Sequence, residues 1–202
     1  MKIFCVGRNY SEHVKELNND IPEAPVIFMK PPTALLRGSD FYLPGFSNDM
    51  HYECELVYRV CKNGKHIEEK FASKYIDAIA VGIDFTARDV QSEQKKKGLP
   101  WEIAKAFDNS AVVGDFVATS ALKNLSSIQF NLKKNGDVVQ IGNSSEMIFG
   151  IEKIISYLSE FFTLQQGDLI FTGTPAGVGA VKIGDVLEGF LESEKKFEIT
   201  IK

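Results

Sequence analysis

The chain has 202 residues, a formal net charge of −4, 44% hydrophobic residues and 25% charged residues. This length allows one domain with a substantial core, and the mild negative charge lacks the basic footprint of a nucleic-acid binder. The opening stretch MKIFCVGRNY has only a short apolar run before Gly7 and Arg8, too short for a signal peptide, and no run approaches the ~20 apolar residues of a membrane span. The three cysteines, Cys5, Cys54 and Cys61, have no CxxC spacing and read as reduced thiols of a cytoplasmic protein.

In chain order, KIFCVG reads as a short strand and NYSEHVKELN as a short polar helix. PVIFMKPPTALL is extended, since its prolines bar a regular helix. ECELVYRVCKNGKHI reads as two strands around Asn63-Gly64, a strong hairpin signal. KYIDAIAVGIDFTARD joins a helix end to a buried strand. DVQSEQKKKG is a helix stopped by Gly98 and Pro100, with Lys95, Lys96 and Lys97 on a solvated face; long-range attraction of anions is the alternative for them. After FVATSAL, SIQFNLKKNGDVVQIG is a second Asn-Gly hairpin. A helix near GIEKIISYLSEFF precedes the glycine-punctuated strands of DLIFTGTPAGVGAVKIGDVLEGFLE. Strands dominate and no linker divides the chain. The expected class is α+β, mixed β with peripheral short helices, as one domain over residues 1–202.

The sequence HYECE at 51–55 is hard to explain by folding alone. In a strand, Glu53 and Glu55 point to one face, where they repel each other and lose hydration. Cys54, between them, faces the other way, into core. Asp84, after Val81-Gly82-Ile83, is equally poor strand chemistry. One divalent cation reconciles the three carboxylates: oxygen donors suit Mg²⁺ above all, with Mn²⁺ or Ca²⁺ as relatives, and Mg²⁺ would keep about three positions for water or substrate. The alternative leaves both glutamates on an exposed edge and Asp84 capping a turn.

The segments GRNYSEHVKEL, HYECELVYRV, GIDFTARDVQSEQKKKGLPWEIAKAFD and IFTGTPAGVG run in order from residue 7 to 179. Together they resemble the fumarylacetoacetate hydrolase family, above all its small branch of acylpyruvate hydrolases and oxaloacetate decarboxylases. The resemblance implies a β-roll catalytic domain, a homodimer, and Mg²⁺ or Mn²⁺ held by Glu53, Glu55 and Asp84. By spacing alone Lys105 is a surface lysine; by resemblance it is a fixed cation that stabilises an enolate oxygen. The resemblance places Arg88 and Gln91, neighbours on one helix face, beside the substrate, whereas a plain reading pairs Arg88 with Asp89 or Glu93. TGTPAGVG lacks the Gly-Lys-Ser/Thr ending of a phosphate loop; by resemblance it walls the pocket, with Thr174 touching a substrate carboxylate.

His13 and Glu16 share a helix face. Taken plainly they are exposed polar residues; by resemblance they are a general-base dyad on a lid, the glutamate orienting an imidazole that activates water. His51 packs behind the carboxylates and His66 lies on a loop surface. The expected activity is Mg²⁺-dependent cleavage of a C–C bond in a small anionic 2-oxo acid, through a metal-chelated pyruvate enolate. Acylpyruvate hydrolysis and oxaloacetate decarboxylation share that intermediate. The alternatives are an isomerase or decarboxylase of the kind that acts on 2-hydroxyhepta-2,4-diene-1,7-dioate, and a non-catalytic metal-binding homologue.

Overall fold

A computed structural model describes residues 1–16 and 20–202. The chain opens with β1 (Ile3–Gly7), α1 (Ser11–Glu16), β2 (Val26–Lys30) and β3 (Asp40–Phe41). The next elements are β4 (Met50–Tyr52), β5 (Cys54–Val60), β6 (Ile76–Asp84), β7 (Thr86–Ala87), α2 (Arg88–Lys97) and α3 (Glu102–Lys105). Next are β8 (Ala111–Val113), β9 (Val117–Ala118), β10 (Gln129–Lys134), β11 (Asp137–Asn143) and α4 (Ile151–Phe161). The chain closes with β12 (Leu169–Phe171), β13 (Gly179–Ala180), β14 (Val186–Leu191) and β15 (Glu194–Ile201). Mixed sheets with short helices at their margins are the architecture expected from the strand-rich pattern.

The largest sheet runs β2-β1-β12-β5-β6-β8, with β9 also paired to β6. A second runs β11-β10-β14-β15-β3, and a small third runs β13-β4-β7. In the first sheet the period of two decides everything. Cys54, Leu56, Tyr58 and Val60 enter the main core together with Ile79, Val81 and Ile83. Val57, Ala80, Ile3, Cys5 and Phe171 pack on the opposite face. Glu55 shares the face of Val57, and Asp84 that of Ala80, so both carboxylates stand on that second face. The register sets Ile3 opposite Lys30 and Cys5 opposite Phe28, which brings Phe28 and Lys30 there too.

The helices follow their apolar spacing. α4 buries Ile151, Ile154, Ile155 and Leu158, the i, i+3, i+4, i+7 stripe of an amphipathic helix. α2 stops at Gly98, whose φ of 65° lies in the left-handed region and whose N–H returns to Gln94 and Lys95, an αL cap. The expected helix over 9–18 is present as α1, and its positions 17 and 18 lie outside the described residues.

Of the two Asn-Gly hairpins, one forms. Asn135 and Gly136 take φ of 55° and 90° and join β10 to β11, the backbone a two-residue turn requires. At Asn63-Gly64 there is no hairpin: β5 pairs with β6 and β12, and neither residue has a positive φ. Gly64 instead exchanges backbone hydrogen bonds with Leu164, and a Cβ there would sit 2.3 Å from the Tyr75 ring. Tertiary packing overrides the local turn signal.

Candidate active site

Four strand ends meet at one edge of the large sheet. β1 and β12 run parallel and deliver Gly7–Arg8 and Gly173–Thr174 there. β5 is antiparallel to β12 and β6, so its start and the end of β6 arrive at the same edge. The close approach of the β1 and β12 ends is set by Gly173, with φ of 95° and room for a Cβ only 2.8 Å from Asn9 and 3.0 Å from Val6 O. A side chain there would be strained and would also clash.

Glu53, Glu55 and Asp84 are buried, and each offers a carboxylate oxygen within 4.8 Å of the others. Glu53 lies in the break between β4 and β5, so the pair does not share one unbroken strand; both carboxylates nonetheless line one pocket. The negative charge is met unevenly. Lys105 Nζ donates to Glu53 Oε2 and Asp84 Oδ2 at 2.7 Å each and to Thr86 Oγ1 at 2.6 Å. Arg88 pairs with Glu53 Oε1. Burial opposes the charged form of Glu53, yet Lys105 and Arg88 outweigh it and hold this carboxyl well below the usual range.

Glu55 receives only the Gly173 N–H, at 2.7 Å, among the described residues. Burial, then Asp84 and Glu53, push its carboxyl well up. Lys30 Nζ lies 2.7 Å from Asp84 Oδ1, but that buried oxygen accepts no hydrogen bond from the described residues. An all-oxygen set with one under-neutralised carboxylate and one oxygen without a hydrogen bond fits a hard divalent cation. These three residues could hold a metal ion.

The structure brings the other candidates to the same pocket, which is lined by His13, Arg88, Gln91, Lys105 and Thr174. His13 is buried, not exposed, and its Nδ1 lies 3.1 Å from Glu16 Oε2. Arg88 Nη1 donates to Gln91 at 2.7 Å. Asp89 instead accepts from Ser47 Oγ and the Asn48 N–H, so the plain pairing with Arg88 does not occur. Thr174 Oγ1 donates to Cys54 O at 2.8 Å and accepts from Gln140 Nε2 at 2.8 Å. His51 turns to Asp49 at 2.9 Å and His66 is exposed.

The sequence reading gave several further residues of this pocket no site role. Arg8, Phe28, Lys95 and Trp101 line it. Lys95 is only partly exposed, unlike Lys96 and Lys97, which corrects the expectation of one solvated lysine face. Its signal was available: Arg88, Gln91 and Lys95 fall at i, i+3 and i+7. Lys30 supports the pocket from behind, donating to Ser110 Oγ at 2.9 Å and to the carbonyl of Lys105. A lysine closing the apolar strand VIFMK was its trace in the sequence.

The family profile described as fumarylacetoacetate (FAA) hydrolase, C-terminal, matches residues 2–201. The chain is 43% identical over 201 residues to oxaloacetate tautomerase FAHD1, mitochondrial, of Mus musculus, covering 99% of this chain and 91% of that relative. It is 39% identical over 206 residues to oxaloacetate decarboxylase, mitochondrial, of Dictyostelium discoideum, covering 100% and 94%. Among solved structures it is similar to fumarylpyruvate hydrolase from Pseudomonas aeruginosa in complex with Mn²⁺ and pyruvate, with a TM-score of 0.94, 35% identity, and coverage of 100% and 89%. No described helix is long and apolar enough to cross a membrane.

Proposed function

The chain belongs to the fumarylacetoacetate hydrolase family, and from that premise we propose that it is a Mg²⁺-dependent enzyme cleaving a C–C bond in small anionic 2-oxo acids. The observation that carries this reading is the buried set Glu53, Glu55 and Asp84, crowded within 4.8 Å, in which Lys30, Arg88 and Lys105 all pair with Glu53 or Asp84 and Glu55 has no ion pair among the described residues. When bound there, Mg²⁺, or Mn²⁺ or Ca²⁺ in its place, would supply a Lewis acid for the 1-carboxylate and 2-oxo oxygen of the substrate.

The chain's own residues do the rest. Arg88 uses one N–H of Nη1 on Gln91 and one of Nη2 on Glu53, and its buried Nε has no partner among the described residues, so the guanidinium keeps donors for the substrate. The Thr174 hydroxyl proton is committed to Cys54 O, so a Thr174 contact with a carboxylate falls to its backbone N–H. In acylpyruvate hydrolysis His13 Nε2 takes a proton from the water that attacks the distal carbonyl. Glu16, on the Nδ1 side, holds the tautomer and stabilises the imidazolium. The C3–C4 bond breaks, its electron pair moves to the 2-oxo oxygen as an enolate, and the proton returns to C3. Lys105 Nζ stabilises that oxygen, exchanging one of its three bonds for it. Oxaloacetate loses CO₂ to the same enolate without a water.

A second reading has an observation of its own: the mouse relative is named a tautomerase. Moving a proton between C3 and the 2-oxo oxygen would use the same residues without breaking a C–C bond. The test is a panel of acetylpyruvate, fumarylpyruvate, oxaloacetate and a hydroxymuconate-type tautomer with Mg²⁺. Pyruvate release supports cleavage; loss of enol absorbance with no pyruvate supports tautomerisation. A homodimer is part of the proposal, and sedimentation checks it.

A further inference from the structure

We infer that Lys95 and Arg8 form a second anion subsite in this pocket, which takes the far carboxylate of a dianionic 2-oxo acid; the inference rests on the 2-oxo acid reading above. It concerns charges that the carboxylate set does not use. Lys30, Arg88 and Lys105 each spend theirs on Glu53 or Asp84. Lys97, exposed, pairs with Glu93. Among the described residues, neither Lys95 nor Arg8 has a carboxylate partner, yet both line the pocket.

Placement favours a ligand. Arg88, Gln91 and Lys95 descend one face of α2, and at 1.5 Å per residue Lys95 stands about 10 Å from Arg88 along the axis. Helical side chains lean back toward the N-terminus, so Lys95 reaches toward the middle of the pocket from its far end. Its Nζ lies 5.2 Å from the centroid of the Trp101 ring, a cation–π platform that holds the ammonium without neutralising it. Arg8 has φ of 59°, a strained conformation for a non-glycine residue of the kind that collects at ligand sites. Its Nε is buried and has no hydrogen-bond partner among the described residues.

The electrostatics agree with the geometry. Burial, then Arg88 and Arg8, bring the Lys95 ammonium down to about 8. Neighbouring cations of this kind repel one another, Glu53 offsets only part of that repulsion, and a bound anion would relieve it. Oxalate, or the keto-acid end of a substrate, satisfies the carboxylate end of the pocket and leaves these two charges unmet. A 2-oxo diacid satisfies both ends; a neutral acyl tail would leave two half-buried cations desolvated and unpaired.

Two probes of the same shape isolate the far charge: oxaloacetate and its 4-amide, 2-oxosuccinamate. Trp101, the chain's single tryptophan, reports binding by fluorescence beside the subsite itself, read before oxaloacetate turns over. With Mg²⁺, wild-type protein is expected to prefer the diacid by on the order of ten- to hundredfold. Lys95→Met is expected to reduce that ratio to below about threefold, and Lys95→Arg to retain most of it. The ratio is taken within one preparation, so the fraction of folded protein cancels. Equal affinity for both probes in wild type, with oxalate still binding, would overturn the subsite alone. So would equal loss of both probes in Lys95→Met, because the lysine would then serve the shared end. Failure of wild type to bind oxalate at all would overturn the 2-oxo acid reading and the subsite with it.

Discussion

Glu16 holds two parts of the pocket together: Oε2 lies 3.1 Å from His13 Nδ1, and Oε1 accepts the Gly177 N–H at 3.1 Å. The carboxylate therefore docks α1 on the glycine-rich loop while it aligns the imidazole. His13→Ala should lower acylpyruvate hydrolysis by ~10²–10⁴-fold. Glu16→Ala should lower it too, and the double variant should lose less than the two effects combined, since the pair acts as one unit. Steady-state kinetics on the three variants checks this.

Lys105 is the principal counter-charge for two of the three carboxylates. Lys105→Ala should destabilise the metal-free protein by roughly 3–5 kcal/mol, the usual consequence of leaving a buried charge unpaired. Mg²⁺ should recover much of that loss. Denaturant unfolding with chelator and with Mg²⁺ separates the two states, and an equal loss in both would mean that the lysine does not neutralise the metal-binding carboxylates.

Glu55 makes no ion pair among the described residues, and the repulsion of Asp84 and Glu53 outweighs the pull of Lys105 on it. Glu55→Gln should raise the melting temperature of the metal-free protein by a few degrees, since relief of about 1 kcal/mol moves a domain of this size by roughly 2–4 °C. The same variant should lose the thermal shift that Mg²⁺ gives wild type. A metal-free protein made less stable by this change would show that Glu55 is held by packing and hydrogen bonding more than by a missing cation.

Oxalate should compete with substrate, because it is a planar analogue of the pyruvate enolate and analogues of the reacting state bind more tightly than substrate. The inhibition should persist at excess Mg²⁺. Its disappearance there would reduce oxalate to a chelator acting in solution.

Alternation made much of this legible. In ECELVYRV, the odd and even residues separate two faces, and the glutamates stand out because no soluble fold benefits from two carboxylates among valines and leucines. The NGD turn of residues 135–137 was readable because its backbone is local. The NGK turn of 63–65 was not, because Tyr75 and Leu164 decide it from far along the chain. Lys30 and Lys95 were missed for the same reason. A lysine is ordinarily a surface residue, and only the convergence of strand ends shows that one props Asp84 and the other overlooks the pocket. Arg8 carries no signal in its spacing at all; its significance is in a backbone angle and an unmet charge.

The most direct test of the account measures pyruvate release from an acylpyruvate and from oxaloacetate side by side, in wild type and His13→Ala, after exhaustive chelation and again with saturating Mg²⁺. The account predicts no release without metal and release from both substrates with it. In His13→Ala, hydrolysis should fall by ~10²-fold or more, while decarboxylation, which needs no attacking water, falls far less. Metal-independent release, or equal losses of both activities in His13→Ala, would contradict it.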